Sequence, residues 1–397
     1  MGSDPYPCRG QTSVARDPLT TNLWCLATRN AGVVMLDRMR EKIVRAMRPR
    51  RGAAGPDGGV TRAVPITFIA VAENQPGDVF RARFEAGWPS YEAWFLSQGD
   101  AARPSYIACR GAIRRHMPEL ASTYERLVEL AGGGDVAARM LSLWCPPPYL
   151  SACSQAVFSR PRTVLVRNYD YDVNRFEAVI VRTGYGDREV IGVSDCLWGL
   201  LDGINRDGLG VSITFGGRQP VGEGFGIPIV VRYLLETCST VAKAAAALSR
   251  LPVHQAYNVT VIDAFGESVT AFVSPDRPPL MQRLEVVTNH QDAIEWEEYA
   301  IATRTRDREG FLGSLLADGL ADERALVRAF LEPPLYSRGF EHGFGTLYTA
   351  VYRPAELCVD YQWPGSTWRQ SFEAFVEGEH TVPLIPDAAN RLVTLPE

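Results

Sequence analysis

Three side chains that lie close together in the sequence, those of Cys153, Arg167 and Asp170, could form a nucleophilic site. Cys153 opens a strand-like run after the prolines at 146–148, and a second run, RTVLVRNYD, carries the other two residues. If the two runs form a hairpin, the second strand returns close to Cys153. The arginine would then favour the thiolate, and the aspartate would hold an ammonium group or the arginine in place. The simplest alternative is that Cys153 is a small buried core residue.

Four segments of the chain occur in an order and at a spacing that resemble one enzyme group. They are Cys153 with Arg167-Asn-Tyr-Asp170, the DGxNxxGL-like run 201–209, the TN pair ending at Asn289, and Arg304. Over residues 153–361, and more weakly from 64, the chain resembles the cysteine N-terminal nucleophile (Ntn) hydrolases. This group holds acyl-CoA:6-aminopenicillanic acid acyltransferase (peptidase family C45) and the choloylglycine hydrolases.

The resemblance implies an α+β fold, the αββα sandwich in which two antiparallel sheets lie between helix layers. It also implies self-cleavage before the nucleophile, here at Ala152–Cys153, with the new α-amine as general base. An α-amine titrates near pH ~8, so a neutral fraction is available near neutral pH. The two pieces would then form an α/β heterodimer.

The resemblance also implies a role for each matching residue. Cys153 would be the nucleophile, with Arg167 and Asp170 orienting it and biasing its ionisation. Asn289 would donate its side-chain amide to the oxyanion or the substrate, and Arg304 would hold the charge network together. Each residue also has a structural alternative: a surface ion pair for Arg167 and Asp170, a loop cap for Asn289. Which arginine of the cluster at 304, 306 and 308 points inward stays open.

Several neighbouring residues are predicted to border the substrate or to shape the site. The bile-salt members place an asparagine where this chain has Phe215, so an oxyanion donor there would be a backbone N–H or Thr214. His290 is a neighbour of Asn289 and a further candidate for substrate binding. Asn205, within DGINRDG, is interpreted as turn chemistry.

The expected reaction is acyl transfer on a non-peptide linear amide C–N bond through a Cys153 thioester. Water as acceptor would give an amidohydrolase; an amine acceptor with a CoA or carrier-protein thioester would give amide synthesis, as in antibiotic biosynthesis. One alternative is a thiol hydrolase that pairs uncleaved Cys153 with His290. Another is a non-catalytic binding protein on the same fold.

Composition excludes several other classes. The formal net charge is -5, with 46% hydrophobic and 22% charged residues, which is typical of a globular protein and not of a nucleic-acid binder. The sequence has no stretch of about 18 apolar residues, so no transmembrane helix is predicted. Eight cysteines without a CxxC pair argue against a zinc site, so neither metal nor cofactor is expected. With no secretory signal recognised, a cytoplasmic location is expected.

The order of predicted elements divides the chain into three parts. Residues 1–63 form an N-terminal extension, partly disordered, with a basic helix that could dock an acidic partner such as an acyl carrier protein. Residues 64–152 form an N-terminal segment with one strand and two helices. Residues 153–397 form the catalytic segment, in which strands, then helices, then strands predict antiparallel sheets packed against helices.

Overall fold

The computed structural model describes residues 63–319, 322–340 and 344–386. This part of the chain contains sixteen β-strands and nine α-helices. The strands are β1 Val64–Glu73, β2 Ala152–Ser159, β3 Thr163–Tyr171, β4 Val179–Thr183, β5 Val190–Asp195, β6 Gly199–Asn205, β7 Leu209–Phe215, β8 Tyr257–Asp263, β9 Ser268–Ser274, β10 Arg277–Gln282, β11 Val286–Val287, β12 Arg338–Gly339, β13 Phe344–Arg353, β14 Cys358–Trp363, β15 Ser366–Ser371 and β16 Gly378–Leu384. The helices are α1 Asp78–Phe95, α2 Tyr106–His116, α3 Ala121–Leu130, α4 Asp135–Leu141, α5 Ile227–Thr237, α6 Val241–Leu248, α7 Glu297–Thr303, α8 Thr305–Ala317 and α9 Glu323–Phe330.

The strands form two large sheets. The first has the order β10-β9-β8-β7-β6-β5-β4-β1-β16, and the second has the order β11-β2-β3-β13-β14-β15, with β12 paired to β13. All neighbours are antiparallel except β1 and β4, which run parallel. Strands such as β6 and β7 are buried along their whole length, because both of their faces are covered.

Helices cover the outer face of each sheet. α5 packs on β6 and β7 of the first sheet, and α8 and α9 pack on β2 and β3 of the second. The inner faces meet where β2 lies against β7 and β3 against β8. The predicted α+β architecture, a four-layer αββα sandwich, is confirmed.

Local sequence signals account for several helix ends. Asp322 accepts a hydrogen bond from the backbone N–H of Ala325 at the start of α9, and Thr240 does the same for Lys243 at the start of α6. α3 ends before Gly132, whose φ of 86° is a conformation that glycine adopts without steric cost. These local signals explain where α6 and α9 begin and where α3 ends.

The N-terminal segment is part of the same body as the rest of the described chain. β1 lies between β4 and β16 in the first sheet, and Phe68, Phe80 and Leu127 belong to the same hydrophobic core as Cys153. The predicted boundary at Ala152–Cys153 falls inside β2. The predicted extension at 1–63 and its basic helix lie outside the described residues, apart from Ala63. In the part of the chain that the structure describes, no helix is long and apolar enough to span a bilayer.

Candidate active site

Cys153 is the second residue of β2 and sits at the mouth of the predicted hairpin. β2 pairs with β3 in antiparallel register, with Cys153 opposite Tyr169 and Ala152 opposite Asp170. The hairpin that the sequence predicted is therefore present, and it brings β3 back to the cysteine. The Cys153 side chain is fully buried.

Arg167 contacts the sulfur. Its Nη2 donates a hydrogen bond to Cys153 Sγ at 3.4 Å, and its Nη1 donates to the Tyr348 hydroxyl at 3.1 Å and to the Asp202 carboxylate. The guanidinium also lies 4.8 Å from the centroid of the Tyr169 ring. Burial raises the pKa of the Cys153 thiol, and the charge of Arg167 opposes this rise. The buried thiol is therefore protonated at neutral pH and needs a base to react.

Asn289 and Arg308 hold the main chain of Cys153 on both sides of its Cα. The N–H of Cys153 donates to Asn289 Oδ1 at 2.9 Å, and Arg308 Nη2 donates to the same oxygen at 2.7 Å. Arg308 Nη1 donates to the Cys153 carbonyl at 2.5 Å and to Ser154 Oγ at 2.8 Å. Asn289 Oδ1 can accept a hydrogen bond from the Cys153 nitrogen both when that nitrogen is a peptide N–H and when it is a free α-amine.

Asp170 pairs with Arg308 and makes no hydrogen bond to the Cys153 sulfur. Its Oδ1 accepts a hydrogen bond from Thr346 Oγ1 at 2.6 Å, and its Oδ2 lies 3.8 Å from Arg308 Nη1. Burial raises the pKa of the Asp170 carboxyl to about 6, against the opposing charge of Arg308. Of the two polar residues predicted beside Cys153, only Arg167 hydrogen-bonds the sulfur.

The prediction that Arg304 holds the charge network is wrong. The arginine that lies in this network is Arg308, four residues later. Arg304 is the residue between α7 and α8, has a φ of 53°, and forms an exposed pair with Asp307 at 3.0 Å. Arg306 forms an exposed pair with Glu297. Arg308 is the buried member, because it lies one turn into α8 on the face that packs against β2.

Thr214 and Phe215 lie next to Asn289 but have other partners. The Thr214 hydroxyl donates to the Thr288 carbonyl at 2.7 Å, so its only proton is already used. The Phe215 carbonyl accepts from Asn289 Nδ2 at 3.2 Å, and its ring packs edge-on against Tyr257 and Tyr299. The oxyanion and substrate roles of these residues stay predictions.

His290 is not paired with Cys153. Its Nδ1 lies 3.0 Å from Thr305 Oγ1, and its Nε2 lies 3.3 Å from Glu309 Oε2. Both ring nitrogens are thus engaged away from the sulfur, which weakens the alternative of a Cys153–His290 pair. Within the described residues, no three His, Cys, Asp or Glu side chains come together as a metal site would require.

Asp202 is the site residue that sequence reasoning missed. Besides Arg167, its carboxylate accepts hydrogen bonds from the hydroxyls of Tyr348, at 2.7 Å, and Tyr352, at 2.5 Å. The available signal is its position in the DGxNxxGL-like run, in which only Asn205 is interpreted from the sequence, as turn chemistry. Asn205 of that run is structural, since its Nδ2 donates to the carbonyls of Leu235 and Cys238 at the end of α5.

The chain before Cys153 is also buried. Leu150, Ser151 and Ala152 are each at most 3% exposed, and the Tyr299 hydroxyl donates to the Ser151 carbonyl at 2.5 Å. In the continuous chain these residues and Cys153 are therefore all closed to solvent. Substrate access to Cys153 requires part of the structure around it to move.

Comparison with known proteins places these observations in a family. The family model described as acyl-coenzyme A:6-aminopenicillanic acid acyl-transferase matches residues 158–368, more than half of the chain, and the match includes Arg167, Asp170 and Asn289. A search of curated proteins found no match.

Three of the solved structures similar to this chain are the following. A mutant of the conjugated bile acid hydrolase from Clostridium perfringens is 10% identical, with a TM-score of 0.39 over 58% of this chain and 96% of that one. Penicillin V acylase from Agrobacterium tumefaciens is 13% identical, with a TM-score of 0.39 over 58% and 90%. The Caenorhabditis elegans ortholog of N-acylethanolamine-hydrolyzing acid amidase is 19% identical, with a TM-score of 0.37 over 51% and 93%.

Proposed function

The chain belongs to the acyl-coenzyme A:6-aminopenicillanic acid acyl-transferase family and is an Ntn-type amidohydrolase or acyltransferase; from this premise we propose that Cys153 carries the acyl group as a thioester. One observation carries the proposal. The sulfur of the buried Cys153 accepts a hydrogen bond from Arg167, and the main-chain N–H of the same residue donates one to Asn289. The substrate is a small-molecule amide, or an amine together with a CoA or carrier-protein thioester.

The first step is self-cleavage at Ala152–Cys153. The thiol of Cys153 adds to the Ala152 carbonyl, the C–N bond breaks as the C–S bond forms, and the acyl chain moves from nitrogen to sulfur. Water then hydrolyses this thioester, leaving a carboxylate on Ala152 and a free α-amine on Cys153. Asn289 Oδ1 accepts from the Cys153 nitrogen and would keep that hydrogen bond to the new amine, and Asp170, opposite Ala152 in the hairpin, supplies a neighbouring carboxylate.

Turnover then uses the α-amine as base. The amine takes the thiol proton, the sulfur attacks the acyl carbonyl of the substrate, and the C–N bond breaks as the proton passes to the leaving amine. Water or a second amine attacks the resulting thioester and returns the thiol. With a thioester donor, the leaving group of the first step is the donor's thiol, and the attacking amine yields an amide.

The two pieces would stay together after cleavage. β1, from the N-terminal piece, lies inside the first sheet between β4 and β16, both of which belong to the C-terminal piece. Residues of the two pieces also share one hydrophobic core. This supports an α/β heterodimer as the working enzyme.

Trapping the acyl group tests the proposal. Mature protein incubated with phenylacetyl-CoA, and separately with a phenylacetyl amide, should gain the mass of one acyl group on the peptide that begins with Cys153. Adding an amine acceptor should shift the products from free acid to new amide in a transferase and leave them unchanged in a hydrolase. Acylation elsewhere, or equal acylation of Cys153→Ala, would contradict the proposal.

The pH dependence separates the α-amine from His290 as base. The Asp170 carboxyl, with its pKa of about 6, loses its proton first and can then pair with Arg308. The α-amine becomes neutral only as the pH passes ~8. We therefore expect kcat/KM to rise from pH ~5.5 to pH ~8. A profile that is flat between pH ~7 and pH ~8 would contradict the α-amine as base.

Rate measurements on the His290→Asn variant supply the control. Its profile should keep the rise towards pH ~8, since the α-amine is unchanged. Disappearance of that limb in His290→Asn would favour the thiol hydrolase that uses His290.

A further inference from the structure

A buried carboxylate without a basic partner lies at the end of β5. Asp195 is only 9% exposed, and its Oδ2 accepts hydrogen bonds from the Tyr149 hydroxyl at 3.1 Å and from Cys196 Sγ at 3.5 Å. Asp195 forms no ion pair with any residue in the described ranges. Burial, and then the negative charge of Glu177, raise the pKa of Asp195 to about 7. Buried carboxylates are ordinarily paired with a cation, so this one is an exception to be explained.

In the part of the chain that the structure describes, the arginine that bonds Ser194, next to Asp195, already has an acidic partner. Arg83, on α1, pairs with Glu177 at 2.9 Å and donates to Ser194 Oγ at 2.5 Å. The turn after Asp195 is held by the N–H groups of Cys196 and Leu197, both at positive φ, which donate to Tyr91 and Glu177. Hydrogen bonds therefore fix the Asp195 carboxyl in place, and no cation among the described residues pairs with it.

Ring contacts connect Asp195 to the hairpin of Cys153: Tyr149, which bonds Asp195, packs on Tyr171, and Tyr171 packs on Tyr169. After burial, the charge of Asp195 is the largest cause that raises the pKa of Tyr257 and of Tyr169, and Cys153 is a further cause for both. Tyr169 lies opposite Cys153 in the hairpin. The buried Tyr257 hydroxyl neighbours the Tyr149 hydroxyl and makes no other hydrogen bond among the described residues. A second polar group that adjoins Tyr149 thus lies beside Asp195.

Tyr149 is the residue that fills this place in the continuous chain. It lies in the stretch that leads to Cys153, and its ring packs against Trp94 at 6.4 Å and Tyr171 at 6.2 Å between centroids. When the bond at Ala152–Cys153 is cut, this stretch gains a free end. Its departure would leave Asp195 and Tyr257 without their neighbour, inside aromatic walls.

We propose that Asp195 binds an ammonium group of the substrate in the place that the Tyr149 hydroxyl occupies before cleavage. This inference rests on the proposed function, which supplies the free end at Cys153. An ammonium group donates three hydrogen bonds, enough for the Asp195 carboxylate and the Tyr257 hydroxyl, and aromatic faces attract it. An anionic group would meet the charges of Asp195 and Glu177 and be repelled. The enzyme thus selects amides that carry a primary amine at one end.

Matched substrates test this specificity. Phenylacetyl amides of 1,3-diaminopropane and of butylamine differ only in an ammonium group against a methyl group, and 6-aminohexanoyl and heptanoyl anilides place the same difference on the acyl side. In one of the two pairs we expect kcat/KM to favour the cation by about tenfold or more. Asp195→Asn should remove this preference, whereas Asp263→Asn, at another buried aspartate, should keep it. A preference unchanged in Asp195→Asn would overturn the proposal.

A binding measurement keeps the proposal testable if turnover is absent. In the double variant Cys153→Ala, Tyr149→Ala the chain stays uncleaved while the tyrosine ring is removed. Calorimetry should show that 2-phenylethylamine binds this folded variant about tenfold or more tightly than 2-phenylethanol, and that adding Asp195→Asn abolishes the difference. Equal binding of the two compounds would refute the ammonium site, whatever the outcome for cleavage. Cation binding without Cys153-dependent turnover would instead refute only the proposed function.

Discussion

Arg308→Ala should lower kcat/KM by about 10²-fold or more, a loss like that from removing an oxyanion-hole donor. The guanidinium of Arg308 donates to the Cys153 carbonyl, Ser154 Oγ and Asn289 Oδ1, so its loss releases the nucleophile's main chain. It would also leave the carboxylate of Asp170 buried without its cation. Steady-state kinetics on folded, mature protein measure the effect.

Arg304→Ala is the matched control, four residues earlier in the same arginine cluster. Arg304 pairs on the surface with Asp307, and such pairs contribute about 0–1 kcal/mol to stability. Its kcat/KM should stay within about twofold of wild type, as for surface changes in general. Equal losses in both variants would show that the arginine cluster acts through folding. A loss confined to Arg304→Ala would contradict the geometry around Cys153.

Asp202→Asn should lower the free energy of unfolding by about 3–5 kcal/mol, the usual cost of breaking a buried ion pair. Asp202 and Arg167 are both fully buried and bonded to each other. The Asp202 carboxylate also accepts from the hydroxyls of Tyr348 and Tyr352, and an amide would present N–H groups to some of these donors. Urea denaturation with an unchanged m-value would report the loss as one of stability.

Asp307→Asn serves as the control for this experiment. Asp307 is 61% exposed, and its change should alter the unfolding free energy by at most about 0.5 kcal/mol. An Asp202→Asn variant as stable as Asp307→Asn would mean that Arg167 does not depend on Asp202. The position of Arg167 at the sulfur would then need another explanation.

The strands of the central sandwich were predictable because their sequence signals are strong. β3, β8 and β9 are rich in valine, isoleucine and threonine, and short turns join β2 to β3 and β8 to β9, so both hairpins follow from that pattern. α1 was not predicted, since it contains Gly87 and Pro89, which favour breaks over helix interiors. β11 is only two residues long, although the run LEVVTN around it is typical of a longer strand.

The candidate site was predictable only where its residues are close in sequence. Cys153 and Arg167 belong to one hairpin, so local pairing brings them together. Asp202 reaches Arg167 from the other sheet, and Tyr348 reaches it through the pairing of β3 with β13. No local sequence signal reports either contact. Arg308 lies inside α8 and Arg304 lies before its first residue, so the difference between them depends on where the helix begins.

Intact mass of the purified wild-type chain, measured beside Cys153→Ala, tests the central claim most directly. The account predicts two wild-type fragments that divide between Ala152 and Cys153, and one undivided chain for the mutant. An undivided wild-type chain that turns over amides would contradict the claim that the α-amine of Cys153 is the base.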